Sequence, residues 1–171
     1  LSLIPIALFT SPEILNALEK YDMVLMSRVG LEESENRSSF YRKSLSFIGT
    51  FLSRVFLQLP FKDCTSGYQA FSRDAIESIN LDEFVSTSYF FQTEMKAKIY
   101  NLIELSHQKE SDSIKFFYSE KKINRFFRIP GSRRFKYTEI PFVYDQGSSG
   151  ISYKKVWFSF KEFIKYVLFS V

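Results

Sequence analysis

The sequence predicts an α/β fold in which a small sheet is flanked by helices. Short apolar runs of strand length, at residues 21–28 and 137–144, alternate with two longer segments, 40–59 and 90–102, whose apolar residues recur at helical spacing. Strands that alternate with helices are typical of open sheets with parallel pairs. A chain of 171 residues with 45% hydrophobic residues is long and apolar enough for one domain with a substantial core.

The chain begins with an apolar run. Residues 1–9 predict a buried strand, and because they start abruptly and without Met, we expect the chain to be a fragment. Ser11 and Pro12 then match the N-cap and first turn of a helix, which we expect to reach about residue 20.

The next strand leads to a candidate ligand-binding edge. Residues 21–28 are apolar until Ser27 and Arg28, which stand at the carboxyl end, where open α/β sheets bind ligands. The polar run 30–39 predicts a loop. A helix over 40–59 follows and is expected to end before Pro60 because proline cannot continue it.

A polar stretch then lies between two apolar segments. Asp63, Cys64, Thr65, Ser66 and Gly67 bring a carboxylate, two hydroxyls and a glycine into one turn, which suits a site that handles hydroxyls and phosphates. Gly67 permits either a positive φ or the close approach of a ligand. The alternative is a structural β-turn in which Asp63 accepts hydrogen bonds from the following amides.

Two further elements and a loop complete the central part of the chain. Ser72 predicts the N-cap of a short helix that ends at Ser78, and a second helix is expected over residues 90–102. Residues 137–144 predict a strand that carries an edge proline, because proline cannot donate to a neighbouring strand.

Five short segments then give the chain a family resemblance. They are Val24-Leu25-Met26-Ser27-Arg28, Tyr41-Arg42-Lys43-Ser44-Leu45-Ser46, the Asp63 stretch with Ser72-Arg73, Phe91-Gln92-Thr93-Glu94-Met95, and Glu139-Ile140-Pro141. In this order and spacing the set resembles the C-terminal half of family 2 glycosyltransferases, and most closely the polyprenyl-phosphate (dolichyl-phosphate) mannosyl- and glucosyltransferases. The resemblance implies an incomplete, Rossmann-like GT-A sheet, with residues 1–150 forming the acceptor side of the domain.

The resemblance also implies roles for particular side chains. The positions that match the acceptor-phosphate site are Arg28, Arg42 and Ser46; a guanidinium fits a phosphate, and a hydroxyl adds a donor. Asp63 stands where the family has an acidic residue close to the sugar, and Thr65, Ser66 and Gly67 complete its loop. Gln92 and Glu94 begin a helix that borders the donor in the family. For the arginines the alternative is a solvated surface charge, and for Glu94 a first-turn carboxylate favoured by the helix dipole.

Departures from the family pattern concern the sugar donor. The family has an Asp-x-Asp metal motif ahead of Pro12, but here its two positions fall near Pro5 and Ala7, which cannot ligate a metal. The family's Mg²⁺ or Mn²⁺ therefore lacks its ligands in this chain, and no metal site is predicted. The nucleotide-binding half is missing, and no arginine lies near Gly147. We expect the 171-residue chain alone to be inactive.

Basic and aromatic residues accumulate toward the C-terminus. Residues 107–136 carry nine basic and three acidic side chains, which suits an anionic surface better than a general affinity for nucleic acid. Residues 106–136 lack a stable period and are interpreted as an insertion or lid. Residues 151–171 predict an amphipathic helix with lysines and Glu162 on one face, which either lies on a membrane or covers the sheet; no stretch is long enough to span a bilayer.

One hypothesis and two alternatives follow. The chain is predicted to be the acceptor-side part of an enzyme that transfers a sugar from a nucleotide-sugar, of the GDP-mannose or UDP-glucose type, to a polyprenyl phosphate at the cytoplasmic face of a membrane. One alternative is a non-catalytic, degenerate remnant or partner subunit of the same fold. The other is a basic-aromatic module that binds anionic lipid or RNA; since no ribonucleoprotein-type signature is present, we expect no nucleic-acid partner.

Overall fold

A computed structural model of the chain describes residues 12–33, 35–36, 39–107, 134–144 and 153–170. The elements are α1 (Pro12–Leu18), β1 (Met23–Ser27), β2 (Glu35–Asn36), α2 (Phe40–Leu57), β3 (Gln69–Phe71), α3 (Arg73–Glu77), a 3₁₀ turn (Leu81–Glu83), α4 (Phe91–His107), β4 (Tyr137–Pro141), β5 (Val143–Tyr144) and α5 (Tyr153–Ser170). The predicted α/β fold is confirmed, and it is consistent with an incomplete Rossmann-like fold. The expected N-terminal strand with Pro5 and Ala7, most of the basic insertion, and Gly147 lie outside the described residues.

The central sheet has three strands in the order β3–β1–β4. β1 pairs antiparallel with β3 and parallel with β4, so that Val24 stands opposite both Ala70 and Thr138. Every residue of β1 is buried, which explains why the strand is apolar almost throughout. Because β1 and β4 are parallel, their carboxyl ends share one edge of the sheet, and β1 leads from that edge directly into Arg28.

The segment 137–144 was expected to be one strand and is two. β4 lies at the edge of the central sheet, as its proline predicts, and β5 pairs with β2 in a separate two-stranded sheet. The backbone N–H of Phe142, between them, donates to Ser27 O at 2.9 Å. The segment 30–39, which was expected to be a loop, contains the short strand β2, and β2 pairs parallel with β5.

Side chains alternate across β1 and build two cores. Met23 and Leu25 belong to the larger cluster, which also contains Phe61 and, from the helices, Ile99, Leu102, Phe163 and Tyr166. Val24 and Met26 point the other way and pack with Ile14 of α1. Successive residues of a strand face opposite sides of its sheet, so a single apolar strand supplies both cores.

Helix boundaries agree with the terminal signals in most places. Ser72 Oγ accepts a hydrogen bond from Ala75 N at 3.2 Å, which confirms the predicted N-cap of α3. α2 ends at Leu57, and its C-cap, Gln58, adopts a left-handed conformation (φ 52°) before Pro60. α4 continues to His107, beyond the expected end at residue 102.

α2 packs on the molecule through small and polar residues together with Leu52 and Leu57, and it leaves another apolar side exposed. Ser53 is buried, and Gly49 packs so closely that a Cβ there would lie 2.7 Å from the Thr65 methyl group. The exposed side carries Phe40, Phe47, Ile48, Phe51 and Val55, and Phe47 is 73% exposed. We call these five residues the α2 apolar face. A surface helix of a domain usually buries such a stripe.

α5 packs on the domain along one side only. Glu162, Phe163 and Tyr166 are buried, so the expectation that Glu162 shares a solvent face with the lysines is wrong. Its carboxylate instead accepts hydrogen bonds from Thr87 N at 2.6 Å and Ser88 N at 3.3 Å. A second, exposed side carries Trp157, Phe160, Ile164 and Leu168. Within the described part of the chain, no helix is long and apolar enough to cross a membrane.

Candidate functional site

An arginine and a buried aspartate form the centre of the site. Arg28 follows β1, and Asp63 lies on the loop between α2 and β3 with its side chain 1% exposed. Arg28 Nε donates to Asp63 Oδ2 at 2.7 Å, and Nη2 donates to Oδ1 at 3.0 Å. This two-point pairing fixes the plane of the guanidinium as well as its position.

Two hydroxyls border the same guanidinium. Arg28 Nη2 lies 2.9 Å from Ser46 Oγ on α2 and 2.9 Å from Thr65 Oγ1 on the Asp63 loop. The two hydroxyl oxygens are themselves 2.5 Å apart. α2 reaches the loop because Gly49, one turn after Ser46, leaves room for the side chain of Thr65.

One edge of the guanidinium stays open. The hydrogen bonds of Arg28 to other described residues use its backbone N–H, Nε and Nη2, and none of them uses Nη1. The Tyr144 ring lies on one face of the guanidinium, with its centroid 5.5 Å from Cζ. The side chain as a whole is 15% exposed, so Arg28 is held by its partners without being fully buried.

Asp63 is saturated by donors and remains ionised. Besides Arg28, its Oδ1 accepts hydrogen bonds from Thr65 N, Thr65 Oγ1 and Ser66 N at 3.0–3.2 Å. Burial raises the pKa of Asp63, but the hydrogen bonds and charge of Arg28, together with the charge of Lys96, outweigh it and hold the pKa below 3.8. The structural alternative is confirmed, since Asp63 accepts hydrogen bonds from the amides of the following turn, and a role of this stretch in handling hydroxyls and phosphates stays a prediction.

A buried lysine donates hydrogen bonds to the Asp63 loop. Lys96 of α4 is fully buried, and its Nζ donates to Cys64 O at 2.8 Å and to Ser66 O at 2.5 Å. On the sheet side, Glu139 of β4 accepts a hydrogen bond from Lys62 N at 2.9 Å. Neighbouring elements therefore fix the loop on both sides. Cys64 is a free, buried thiol whose pKa burial raises to about 12.

Gly67 and Gln92 are brought into direct contact. A Cβ at residue 67 would lie 2.5 Å from both Gln92 Oε1 and Nε2, and the φ of Gly67 is not in the left-handed region. The structure therefore shows no positive φ at Gly67, and the close approach that it does show is by another side chain of the protein. The approaching group is the amide of Gln92, which belongs to the first turn of α4.

Glu94 faces a different segment. It is fully buried in the first turn of α4, and its oxygens accept hydrogen bonds from Val85 N at 3.0 Å and Ser86 N at 2.9 Å, and from the Ser86 hydroxyl. Lys98 Nζ lies 3.9 Å from Glu94 Oε1. The contacts of Glu94 are thus with the loop before α4, whereas Arg28, Ser46, Asp63 and Thr65 meet one another.

Arg42 stands one turn before Ser46 on α2. Residues four apart lie on the same side of a helix, so Arg42 shares the α2 side that carries Ser46 toward the Asp63 loop. It is half-buried, as is Ser46. Its role at the phosphate site stays a prediction, as do the assigned roles of Gln92 and Glu94.

The described residues do not fit a divalent metal site. Among them, no three His, Cys, Asp or Glu side chains come together in a metal-binding group. The oxygens of Asp63 are already used by Arg28, Thr65 and Ser66. No step of the chemistry proposed below runs through a metal held by these residues.

Sequence reasoning missed two contributors to the site. Lys96 stands four residues after Gln92 and three before Ile99, which places a charged residue on the buried side of α4. That position could have indicated that Lys96 is buried. It could not have indicated its partners, because these are carbonyls of a loop about thirty residues away in the sequence. Tyr144 gave no signal, because its contact with Arg28 depends on how β5 pairs with β2.

The comparison with known proteins agrees with the family resemblance at a coarse level. No family model matches the chain. Over 84 residues the chain is 33% identical to a Micrococcus luteus protein named undecaprenyl-phosphate mannosyltransferase. The chain is similar to part of a polyprenyl-phosphate glycosyltransferase. The aligned region covers 49% of this chain and 35% of that protein's length.

Proposed function

We propose that Arg28, Ser46, Asp63 and Thr65, here called the Arg28 cluster, form a site that binds the phosphate of a polyprenyl phosphate. We also propose that the chain is the acceptor side of a family 2 glycosyltransferase. The observation that carries this proposal is the open edge of Arg28. Asp63 holds the guanidinium in a fixed plane, and Nη1 is left without a partner among the described residues. The N–H groups of Nη1 can donate to a phosphate oxygen, and the positive charge of the guanidinium strengthens such a hydrogen bond.

The chemistry needs an anchored acceptor more than a strong base. A phosphate monoester has its second pKa at about 6, so its oxygen is already an anion at neutral pH and can attack the sugar carbon directly. Arg28 would hold that phosphate, with the Ser46 and Thr65 hydroxyls next to it. Asp63 would act by positioning Arg28, because its oxygens are saturated. The amide of Gln92 has no hydrogen bond to another described residue and is available for a sugar hydroxyl.

The donor is proposed to be a nucleotide-sugar of the GDP-mannose or UDP-glucose type. Mg²⁺ or Mn²⁺ would neutralise the leaving diphosphate in such a reaction. Neither the donor half nor a metal site is among the residues described here, so both belong to the proposal for the whole protein. The 171-residue chain alone is proposed to be inactive.

The exposed apolar surface supports docking at a membrane. The α2 apolar face belongs to the helix that carries Ser46, and α5 exposes Trp157, Phe160, Ile164 and Leu168 beside Lys161 and Lys165. The two helices meet where Phe56 and Phe163 are in edge contact at 6.0 Å. Apolar side chains flanked by lysines are typical of helices that lie on a bilayer. We propose the cytoplasmic face, where nucleotide-sugars are available.

A sugar-transfer assay tests this function. The protein expressed from its complete gene is incubated with radiolabelled GDP-mannose or UDP-glucose and a polyprenyl phosphate, and labelled lipid is extracted into organic solvent. We expect labelled product with the complete protein and none with the 171-residue chain. Arg28→Ala should weaken acceptor binding by about 1.5–3 kcal/mol, the range for hydrogen bonds to charged groups. Arg73→Ala, at an exposed arginine of α3 that is paired with Glu77, is the control for removal of an arginine outside the site.

Either of two results would contradict the proposal. The first is a complete protein that transfers no sugar from either donor, which would favour the alternative of a non-catalytic remnant with Pro5 and Ala7 at the metal positions. The second is an Arg28→Ala protein with the acceptor dependence of the Arg73→Ala control, which would remove Arg28 from the acceptor site.

A further inference from the structure

Lys96 is a buried ammonium whose hydrogen bonds go to backbone carbonyls. It is 0% exposed, and no carboxylate of the described residues lies within ion-pair distance of its Nζ. Its two acceptors, Cys64 O and Ser66 O, flank Thr65 on the Asp63 loop. A charged group without a counter-ion is strongly unfavourable in a protein interior, so the position calls for a function.

The charges around Arg28 suggest what that function is. Arg28 and Asp63 form a pair that is neutral as a unit, so the pair alone attracts an anion only weakly. Lys96 adds a second cation, which donates hydrogen bonds to the loop that carries Asp63. Hydrogen bonds from its ammonium also fix the carbonyls on both sides of Thr65, whose hydroxyl contacts Arg28.

We propose that Lys96 is a positioning residue of the phosphate site, which holds the Asp63 loop in place and supplies the excess positive charge that draws the acceptor phosphate to Arg28. This inference rests on the proposed function. Lys96 does not touch the phosphate, because its side chain is fully buried and its ammonium donates to Cys64 O and Ser66 O.

The proposal has a signature in the pH dependence of binding. Burial lowers the pKa of Lys96 to about 8, while Asp63, Cys64 and Glu139 oppose the shift and Arg28 adds to it. Of these facing groups, Cys64 has its pKa raised to about 12 by burial, Arg28 lowers the pKa of Asp63, and burial raises the pKa of Glu139 above its ordinary value of 4.5. Lys96 is therefore the group among them that changes charge between pH 8 and 10. A bound phosphate dianion stabilises the charged lysine, so the affinity should fall as pH rises through this interval.

The experiment measures binding of farnesyl phosphate and of farnesol to the complete protein between pH 7.5 and 10. Wild-type affinity for farnesyl phosphate should fall on the order of 10-fold across this range, and farnesol binding should stay constant. Lys96→Met should bind farnesyl phosphate about 10-fold more weakly at pH 7.5 and show no fall at higher pH. Lys98→Met is the matched control, since it also removes a buried lysine of α4. It should keep the wild-type pH profile.

Two measurements without any ligand test the positioning role by itself. NMR of the lysine ammonium groups should show the Lys96 signal titrating near pH 8, and amide exchange at residues 63–66 should become faster in Lys96→Met than in Lys98→Met. If Lys96→Met does not fold, the wild-type pH profile and the NMR titration still decide the matter.

The outcomes for the two proposals are distinguishable. Failure of the wild-type protein to prefer farnesyl phosphate over farnesol overturns the phosphate site, and the NMR and exchange data then judge Lys96 alone. A wild-type affinity that is constant from pH 7.5 to 10, a neutral Lys96 at pH 7, or unchanged exchange at residues 63–66 in Lys96→Met overturns the role of Lys96.

Discussion

Replacement of Asp63 by Asn should destabilise the protein strongly and in a pH-dependent way. The asparagine keeps the size of the side chain and one acceptor oxygen, but it places an NH₂ group against a donor of Arg28, which now lies 2.7 Å from Oδ2. Breaking a buried ion pair by removing one partner costs about 3–5 kcal/mol. Because the Arg28 side chain retains 15% exposure, we expect about 2–4 kcal/mol at pH 7.

The measurement is urea unfolding of the wild-type and Asp63→Asn proteins at several pH values. The pKa of Asp63 is lowered in the folded state, so its contribution is fully present above the unfolded value of 3.8 and is lost as pH falls through the folded value. The difference in unfolding free energy should therefore be constant from pH 7 to about 5 and shrink below pH 3.8.

Asp22→Asn provides the comparison. Asp22 is also buried and accepts hydrogen bonds from Ser72 Oγ at 2.9 Å and from Lys136 N at 3.1 Å. These two donors carry no charge, so we expect its replacement to cost less than that of Asp63, about 1.5 kcal/mol, the low end of the range for hydrogen bonds to charged groups. Equal losses at the two aspartates, or a difference between wild type and Asp63→Asn that does not change with pH, would refute the ion-pair reasoning.

Three further predictions concern neighbouring parts of the site and its surface. Gly67→Ala should reduce sugar transfer and destabilise the protein by less than about 1 kcal/mol, because the nearest atoms to the new Cβ belong to the flexible end of Gln92. Gln92→Ala should lower transfer similarly, and a loss of transfer in Gly67→Ala but not in Gln92→Ala would contradict this. Replacing Phe47 and Phe51 by Ser should reduce flotation with anionic vesicles, measured against Leu81→Ser at an exposed apolar position on the 3₁₀ turn; equal flotation of the two variants would mean that the α2 apolar face does not touch lipid. Glu162→Gln should speed amide exchange at Thr87 and Ser88, because a neutral amide oxygen is a weaker acceptor than the carboxylate; unchanged exchange would show that these amides do not depend on its charge.

The fold could be predicted from the sequence where local chemistry decides it. The continuous apolar run of β1 and the Ser72 cap of α3 each have a single physical interpretation, and both are confirmed. Pro60 correctly marks the end of α2 to within a few residues. By contrast, the break between β4 and β5 depends on β2, a two-residue strand inside a polar run with no strand signal of its own.

The buried face of α2 could not be predicted for a different reason. Periodicity shows which side of a helix is apolar, but whether a domain core or another surface covers that side depends on its surroundings. Here the opposite side is used, because Ser46, Gly49 and Ser53 allow the helix to approach the Asp63 loop closely. Glu162 of α5 likewise turns toward the Thr87 amide, a partner that lies 75 residues away in the chain.

The candidate site could be predicted in part. The resemblance named Arg28, Ser46, Asp63 and Thr65, which meet in the structure. Composition alone could not show that Asp63 forms an ion pair with Arg28, because this pairing depends on the distance between two segments that are far apart in the sequence. It also could not show that Lys96 bonds to carbonyls, since any loop of the chain offers such acceptors.

The most direct measurement is a structure of the complete protein with farnesyl phosphate bound. We predict that a phosphate oxygen lies about 3 Å from Arg28 Nη1, with the Arg28–Asp63 pair intact and the isoprenoid chain leaving toward the α2 apolar face. A phosphate bound away from Arg28, with Nη1 still open, would contradict the central claim.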